Sequence, residues 1–328
     1  MKNAKIAAFA SHSPEKVVSN EELSRLVDTT DEWIQTRSGI RSRRISSSES
    51  ENSSGLATQV ALALFEKSGV KPEEIDAIVV TTVTPDMNTP STAALVQRNI
   101  GAVNAGMCFD VNAACAGFVY GMSVGEKLIS SGKHKKVLVL SAEVLSKATD
   151  WLDRSTCVLL ADGAGGVLLT EGDEKSFLAE DFKSDGNKID ILHGGNFHVS
   201  NPWCEAPQDF KLYIRMKGRE VFDFALKEMT KSINRLIEEA KASVNDVKYF
   251  VVHQANARII QAAAKKLGVA QDRFYVNMHE YGNTSSASIP IALSDMIKKG
   301  LIKSETGDKI VISGFGAGMT VGSMLIAL

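Results

Sequence analysis

A chain of 328 residues with 44% hydrophobic and 23% charged residues has a globular composition and is long enough for two cores or two fused halves. Its 37 basic and 39 acidic residues leave a formal charge of −2, which excludes the basic excess of a nucleic-acid binder. Its longest apolar runs, such as "VLVL" and "GVLL", are too short to span a bilayer. Four cysteines (Cys108, Cys115, Cys157, Cys204) with no CxxC pair and no histidines at zinc spacing, and an opening stretch without a long apolar core, imply a reduced cytoplasmic protein.

In chain order, the first strong signal is "SSGLATQVALALFEKSGV" (53–70). There Leu56, Val60 and Leu64 share one helical face, and Gly69 stands where the helix would end. "IDAIVVTTV" (75–83) follows as a buried strand, by its apolar run and β-branched content. "MCFDV" reads as a short strand. "NAACAGFVYGM" reads as a tight turn into a helix whose Gly117, Gly121 and Gly125 form one stripe suited to close packing. "KKVLVLSAE" and, near the C terminus, "DKIVISGFG" read as further buried strands. The alternation predicts α/β layers on a mostly parallel sheet. Residues 184–210 have no clear period and read as the longest loop, lying between two halves.

An internal repeat organises these elements. "GVKPEEIDAIVVT" and "ASVNDVKYFVVHQ" correspond, and each leads to a helix closing on a glycine, Gly101 or Gly268. A short strand follows in each ("MCFDV", "RFYVN"), then a tight turn into a helix, then an apolar strand. Gly101 to Cys115 is 14 residues and Gly268 to Asn283 is 15, which makes the two turns equivalent across a pseudo-twofold axis. The halves are placed at 1–174 and 175–328. Ligands gather at the carboxyl ends of strands in α/β sheets. The duplication therefore predicts that Cys115, His253 and Asn283 converge.

Most lone cytosolic cysteines are small core residues, and Cys108, Cys157 and Cys204 are read that way. Cys115 differs because it lies at a strand-to-helix turn, where the helix dipole and free N–H groups would lower its pKa and favour a thiolate. Taken singly, His253 fits a satisfied core histidine and Asn283 an ordinary turn asparagine. Together the three make a candidate catalytic constellation.

At these residues the chain resembles the beta-ketoacyl-[acyl carrier protein] synthase III family of the thiolase superfamily. The resemblance runs nearly end to end and rests on "TTDEWIQTRSGIRSRR", "NAACAGFVYGM", "DRSTCVLLADGAGG", "MKGREVF", "VVHQANARII", "YGNTSSASIP" and "GFGAG". It implies a duplicated α/β/α/β/α thiolase-like fold with a Cys-His-Asn site at Cys115, His253 and Asn283. It also implies loading of Cys115 from an acyl-CoA, followed by decarboxylative condensation with malonyl-[acyl carrier protein]. By the same resemblance the backbone N–H groups of Cys115 and Ala317 form the oxyanion hole. Trp33, Arg37 and Arg154 hold the adenine end of CoA, and Asn256 lies near the pantetheine arm. Arg258, Lys265 and Lys266 meet the carrier protein. No metal or redox cofactor is implied, CoA entering as substrate. A homodimer is expected because the loop around Thr89 resembles one that reaches into the partner's acyl pocket.

Three departures stand out. Asp223 replaces a lysine of some relatives in the carrier patch. Val321 stands where tryptophan is common. Thr89 occupies a position often held by phenylalanine in acetyl-primed relatives, which leaves room for a longer or branched primer. Among rival readings, a degradative thiolase lacks its second cysteine, since none follows Cys204. An HMG-CoA synthase-like enzyme would need a glutamate beside its cysteine, for which Glu143 in "SAEVLSK" is the candidate. A ketosynthase III-like acyltransferase of secondary metabolism and a Cys-His-Asn thioester or peptide hydrolase remain as alternatives.

Overall fold

The computed structural model describes residues 2–195, 198–205 and 213–328. Two sheets are built on one plan. The first contains β1 (Asn3–His12), β2 (Ala77–Thr81), β3 (Met107–Val111), β4 (Lys136–Val144) and β5 (Asp162–Gly172), in the order β1-β5-β4-β2-β3. The second contains β6 (Phe177–Ser184), β7 (Val247–Val252), β8 (Lys309–Gly316) and β9 (Thr320–Ala327), in the order β7-β8-β9-β6. In each sheet a parallel pair (β2 with β4, β7 with β8) is followed by two antiparallel pairs, and the first sheet adds a second parallel pair, β2 with β3. The topology repeats, as the sequence repeat requires.

Seven helices matter for the site: α1 (Asp31–Ser38), α2 (Ser53–Ser68), α3 (Thr92–Ile100), α4 (Gly117–Ser130), α5 (Gly218–Glu239), α6 (Ala257–Leu267) and α7 (Ser288–Lys298). Strand alternation decides which layer each side chain enters. On β2, Ala77 and Val79 join the central core while Ile78 and Val80 join an outer core with Leu56, Val60 and Leu64 of α2. On β8, Ile310 and Ile312 face the centre, and Val311 faces the outer core formed with α5 and α6. Helices α4 and α7 lie between the sheets, their Phe118, Met122, Ile289 and Leu293 wholly buried. The result is a five-layer α/β/α/β/α stack.

Two expectations need correction. "RFYVN" is not a strand: it forms a 3-10 turn and a single bridge, Phe274 to Phe250, so the counterpart of β3 is reduced to one contact. The 184–210 segment is not a featureless loop. Its Leu192–His193 pairs with Arg215–Met216, and this small ribbon covers the cavity described below; residues 196–197 and 206–210 of the segment lie outside the described residues.

The glycine stripe on α4 is required by distance. A Cβ on Gly121 would sit 2.7 Å from the Thr81 methyl and 3.0 Å from Val139, and one on Gly125 would sit 2.7 Å from Val139. Gly121→Ala is expected to destabilise the fold by about 1–3 kcal/mol through overpacking, read from the midpoint of denaturant unfolding against the wild-type chain.

Candidate active site

Cys115 lies in a 3-10 turn (Ala114–Ala116) between β3 and α4. The turn is held open at its start by Ala114, whose φ is +47°, and by the Asn112 side chain, whose Oδ1 accepts from the Ala114 N–H at 3.3 Å. The second half repeats this device. Ser285 has φ +50° and opens the 3-10 turn Ser285–Ala287 before α7, and its N–H donates to Asn283 Oδ1 at 2.9 Å. The turns are equivalent, but the pairing of residues is not the expected one. Asn283 matches Asn112, and Cys115 matches Ser286, because the extra helical turn Met278–Tyr281 displaces the count.

His253 follows the last residue of β7 and is 2% exposed. Its ring packs edge-on to Phe315, centroids 5.1 Å apart. Its Nδ1 is 2.8 Å from Ser288 Oγ, and that oxygen also accepts the Gln254 N–H at 3.2 Å. The hydroxyl has one hydrogen and a second lone pair, so it can pair with Nδ1 in either tautomer; where it gives its hydrogen to Nδ1, the proton of the neutral ring lies on Nε2. Burial holds the imidazole pKa down to about 3, so the ring is neutral at ordinary pH. Asn283 spends its oxygen on the Ser285 N–H, which leaves its Nδ2 hydrogens for a ligand. In that tautomer both side chains present donors, and both line one cavity with Cys115.

That cavity has a volume of about 1430 Å³, larger than the roughly 300–1,000 Å³ of ordinary small-molecule sites, and suits a long flexible ligand. At its mouth Trp33 is flanked by Arg37 and Arg154, their guanidinium carbons 4.8 and 5.1 Å from the ring centroid. Arg154 is steadied by the Asp28 carbonyl at 2.7 Å. Asn256 also lines the cavity, capping α6 through the Arg258 N–H (2.9 Å) and donating to the Arg37 carbonyl (2.9 Å). Ala317 and Arg258 line it too, whereas Lys265 and Lys266 are exposed at the far end of α6 and Thr89 is exposed outside it. Val321 is buried in the outer core of sheet two, away from the lining.

The expected thiolate is the one chemical reading overturned. Burial pushes the Cys115 thiol up to about 12; the Ser285 hydroxyl offsets this in part and the Glu143 charge adds to it. The resting sulfur is therefore protonated, despite its place before α4. Sequence reasoning also missed Ser288, Ser285 and Arg219. Arg219 lines the cavity mouth one turn before Asp223, so a cation is present on α5 at another position; the i, i+4 spacing was the available signal. Among the described residues no group of three or more His, Cys, Asp or Glu is arranged to hold a metal, and no helix is long and apolar enough to cross a membrane.

A family model described as 3-oxoacyl-[acyl-carrier-protein (ACP)] synthase III matches residues 109–186, and one described as the C-terminal part of the same enzyme matches 237–328. The beta-ketoacyl-[acyl-carrier-protein] synthase III of Clostridium acetobutylicum is 48% identical over 326 residues, covering 99% of each chain. The crystal structure of the corresponding synthase from Aquifex aeolicus superposes with a TM-score of 0.92 at 42% identity, covering 99% of this chain and 100% of that one. The priming beta-ketosynthase of the R1128 polyketide pathway superposes with a TM-score of 0.91 at 33% identity, covering 100% of this chain and 96% of that one. The duplicated layers and their shared cavity make this a thiolase-fold acyltransferase. Within that class, the chain belongs to the beta-ketoacyl-[acyl-carrier-protein] synthase III family.

With its pKa near 3, His253 has no proton to gain between pH 5 and pH 8. Its C2–H resonance is expected to show no inflection across that range, and an inflection near 6.5 would remove the basis for the donor tautomer.

Proposed function

We propose that the protein loads an acyl group from acyl-CoA onto Cys115 and condenses it with malonyl-[acyl carrier protein], releasing CO2 and CoA and forming a beta-ketoacyl-[acyl carrier protein]. The observation that carries this reading is that Cys115, His253 and Asn283, from separate halves of the chain, line one cavity. The sulfur attacks the acyl-CoA carbonyl, and the oxyanion is received by the backbone N–H groups of Cys115 and Ala317. CoA then departs. The malonyl thioester oxygen next accepts hydrogen bonds from His253 Nε2–H and Asn283 Nδ2. These donors strengthen as the enolate forms, which lowers the barrier to CO2 loss. The carbanion attacks the acyl-enzyme, and the Cys115 sulfur leaves. A neutral histidine suits this role because it donates without neutralising a nearby carbanion by proton transfer.

Trp33, Arg37 and Arg154 form a stacking site for the adenine end of CoA, and Asn256 fixes the Arg37 backbone beside it. Arg258, with Lys265 and Lys266 further along α6, offers an acidic carrier protein a basic approach that favours fast encounter. The exposed edge of β3, with Met107 41% exposed, is the surface through which two copies join, bringing the Thr89 loop of one to the acyl pocket of the other. A threonine there leaves space for primers longer than acetyl. The family's chemistry needs no bound metal or redox group, and a cytoplasmic location fits the supply of both thioesters.

Purified protein given acyl-CoA and malonyl-[acyl carrier protein] is expected to release CO2 and form the ketoacyl product. Peptide or thioester cleavage without carbon–carbon bond formation would favour a hydrolase. Cys115→Ser abolishes condensation. His253→Ala and Asn283→Ala still accept an acyl group on Cys115 but lose decarboxylation by about 10²–10³-fold, each missing one donor.

A further inference from the structure

A buried cation stands behind Asn283, and neither half-reaction uses it. Arg43, in the short strand Ser42–Arg44, is 0% exposed. Its partners are neutral. Nη2 donates to Asn20 Oδ1 at 2.8 Å and to the Val158 carbonyl at 3.0 Å, and Nη1 donates to the Val18 carbonyl at 3.3 Å. Its Nε finds no partner among the described residues. Burial lowers its pKa to about 10, so the group is still charged at neutral pH. A buried cation held only by neutral acceptors costs stability that an apolar side chain would not. The place where its grip falls gives a reason for keeping it.

Val158 caps the short helix Arg154–Cys157 and leads straight into the segment that holds the Asn283 backbone. The Leu159 carbonyl accepts the Asn283 N–H at 2.9 Å, and the Asn283 carbonyl accepts the Ala161 N–H at 2.9 Å, which makes a parallel bridge between Leu160 and Asn283. The strand of Arg43 grips the other side. The Arg41 N–H donates to the His279 carbonyl at 3.0 Å and Ser42 Oγ to the Glu280 carbonyl at 3.2 Å, both in the turn just before Asn283. Gly282 is wedged between the two grips with φ +68°, where a Cβ would lie 2.8 Å from the Ala161 Cβ and 3.2 Å from the Arg43 Cβ. The Asn283 side chain is fixed in turn by the Ser285 N–H on its Oδ1, so the aim of Nδ2 follows the backbone. We infer that Arg43 is a positioning residue for the Asn283 donor: by holding the Val158 carbonyl it sets the Leu159–Ala161 segment, and that segment aims Asn283 Nδ2 at the malonyl thioester oxygen. This rests on the condensing reaction proposed above.

The two half-reactions depend on Arg43 unequally. Loading uses the Cys115 sulfur and the amides of Cys115 and Ala317, which are placed by the ends of β3 and β8. Decarboxylation uses the Asn283 donor, and a hydrogen bond weakens steeply as its length and angle leave the optimum. A shift of the Leu159–Ala161 segment therefore falls on CO2 loss. The CoA clamp is insulated from the same shift. Asn20, which accepts from Arg43, keeps two anchors of its own through Nδ2, Asp31 Oδ1 at 2.8 Å and the Ile40 carbonyl at 2.8 Å. Asp31 opens α1, which carries Trp33 and Arg37.

The test measures two rates: acylation of Cys115 by acyl-CoA, followed by intact mass, and CO2 release from malonyl-[acyl carrier protein] by the acyl-enzyme. They are compared in the wild type, Arg43→Met, Arg43→Lys, Asn283→Ala and the double variant of Arg43→Met with Asn283→Ala. Arg43→Met is expected to load within about threefold of the wild type and to release CO2 about 10–100-fold more slowly, and to add less than about threefold once Asn283 is already alanine. Arg43→Lys falls between, because its Nζ keeps one donor for the Val158 carbonyl. If Arg43→Met releases CO2 as fast as the wild type, if loading and CO2 release fall together, or if its loss multiplies with that of Asn283→Ala, Arg43 does not act through Asn283 and the proposal is wrong. If Arg43→Met does not fold, Arg43→Lys decides: CO2 release slowed about 3–10-fold with loading intact supports the proposal, and any other pattern overturns it. If neither variant folds, Arg43 serves the fold alone and the proposal is equally wrong. If the wild type itself takes no acyl group from any acyl-CoA, the condensing reading fails and the positioning role with it, an outcome read on the wild type alone.

Discussion

The end of β8 touches the backbone of the nucleophile turn with no room for a side chain between them. A Cβ on Gly316 would lie 2.6 Å from the Cys115 nitrogen, and one on Gly314 would lie 2.8 Å from the Ala116 Cα and 2.9 Å from the Cys115 carbonyl oxygen. This contact joins the two sheets at the one place where the chemistry happens. It sets Ala317 beside Cys115, so that one half supplies the sulfur and the other supplies the neighbouring amide. The cavity lies at the same contact, lined by Cys115 from one half and by Phe315 and Ala317 from the other. The glycines of α4 act in the same sense from the other side, letting the helix that follows Cys115 seat directly on β2 and β4.

The electrostatics follow from that closeness. His253 and Glu143 are buried and Cys115 is half-buried, so each is driven toward its neutral form: the thiol upward, the imidazole downward, the Glu143 carboxyl upward. A site of this kind binds a neutral thioester without paying to strip a charged shell from its own residues. It generates charge only as the reaction proceeds, on atoms that already face donors. The charged residues, Arg37, Arg154, Arg219 and Arg258, stand at the mouth, where a phosphate-bearing arm would meet them.

Much of this was legible in the sequence. The duplicated order of strand, helix and turn gave the layers, and the motifs around Cys115, His253 and Asn283 named residues that the structure gathers in one cavity. What failed did so for physical reasons. Counting residues from Gly268 could not reveal the extra turn Met278–Tyr281, so Cys115 was aligned with Asn283 when its partner in the repeat is Ser286. "RFYVN" has strand composition, yet only Phe274 finds a neighbour to pair with. The helix-dipole argument for a thiolate omitted desolvation, which opposes it and depends on burial that no local pattern discloses. Ser288 and Ser285 were invisible because a serine gives no signal of its partner until the fold supplies one. Glu143 was noticed only as a mark of another enzyme class; its partners Thr82, Val83, Thr84 and Ser286 come from segments far apart in the chain.

The mirrored arrangement of Ser286, Thr82 and Asn112 has a consequence for inheritance. One half supplies the thiol and the other supplies the histidine and the asparagine, while Ser286, Thr82 and Asn112 stand at the matching places of the opposite halves. Neither can be exchanged between divergent relatives without its counterpart. Chimeras cut at the junction near residue 174 would have to bring matched partners from a single parent to remain active.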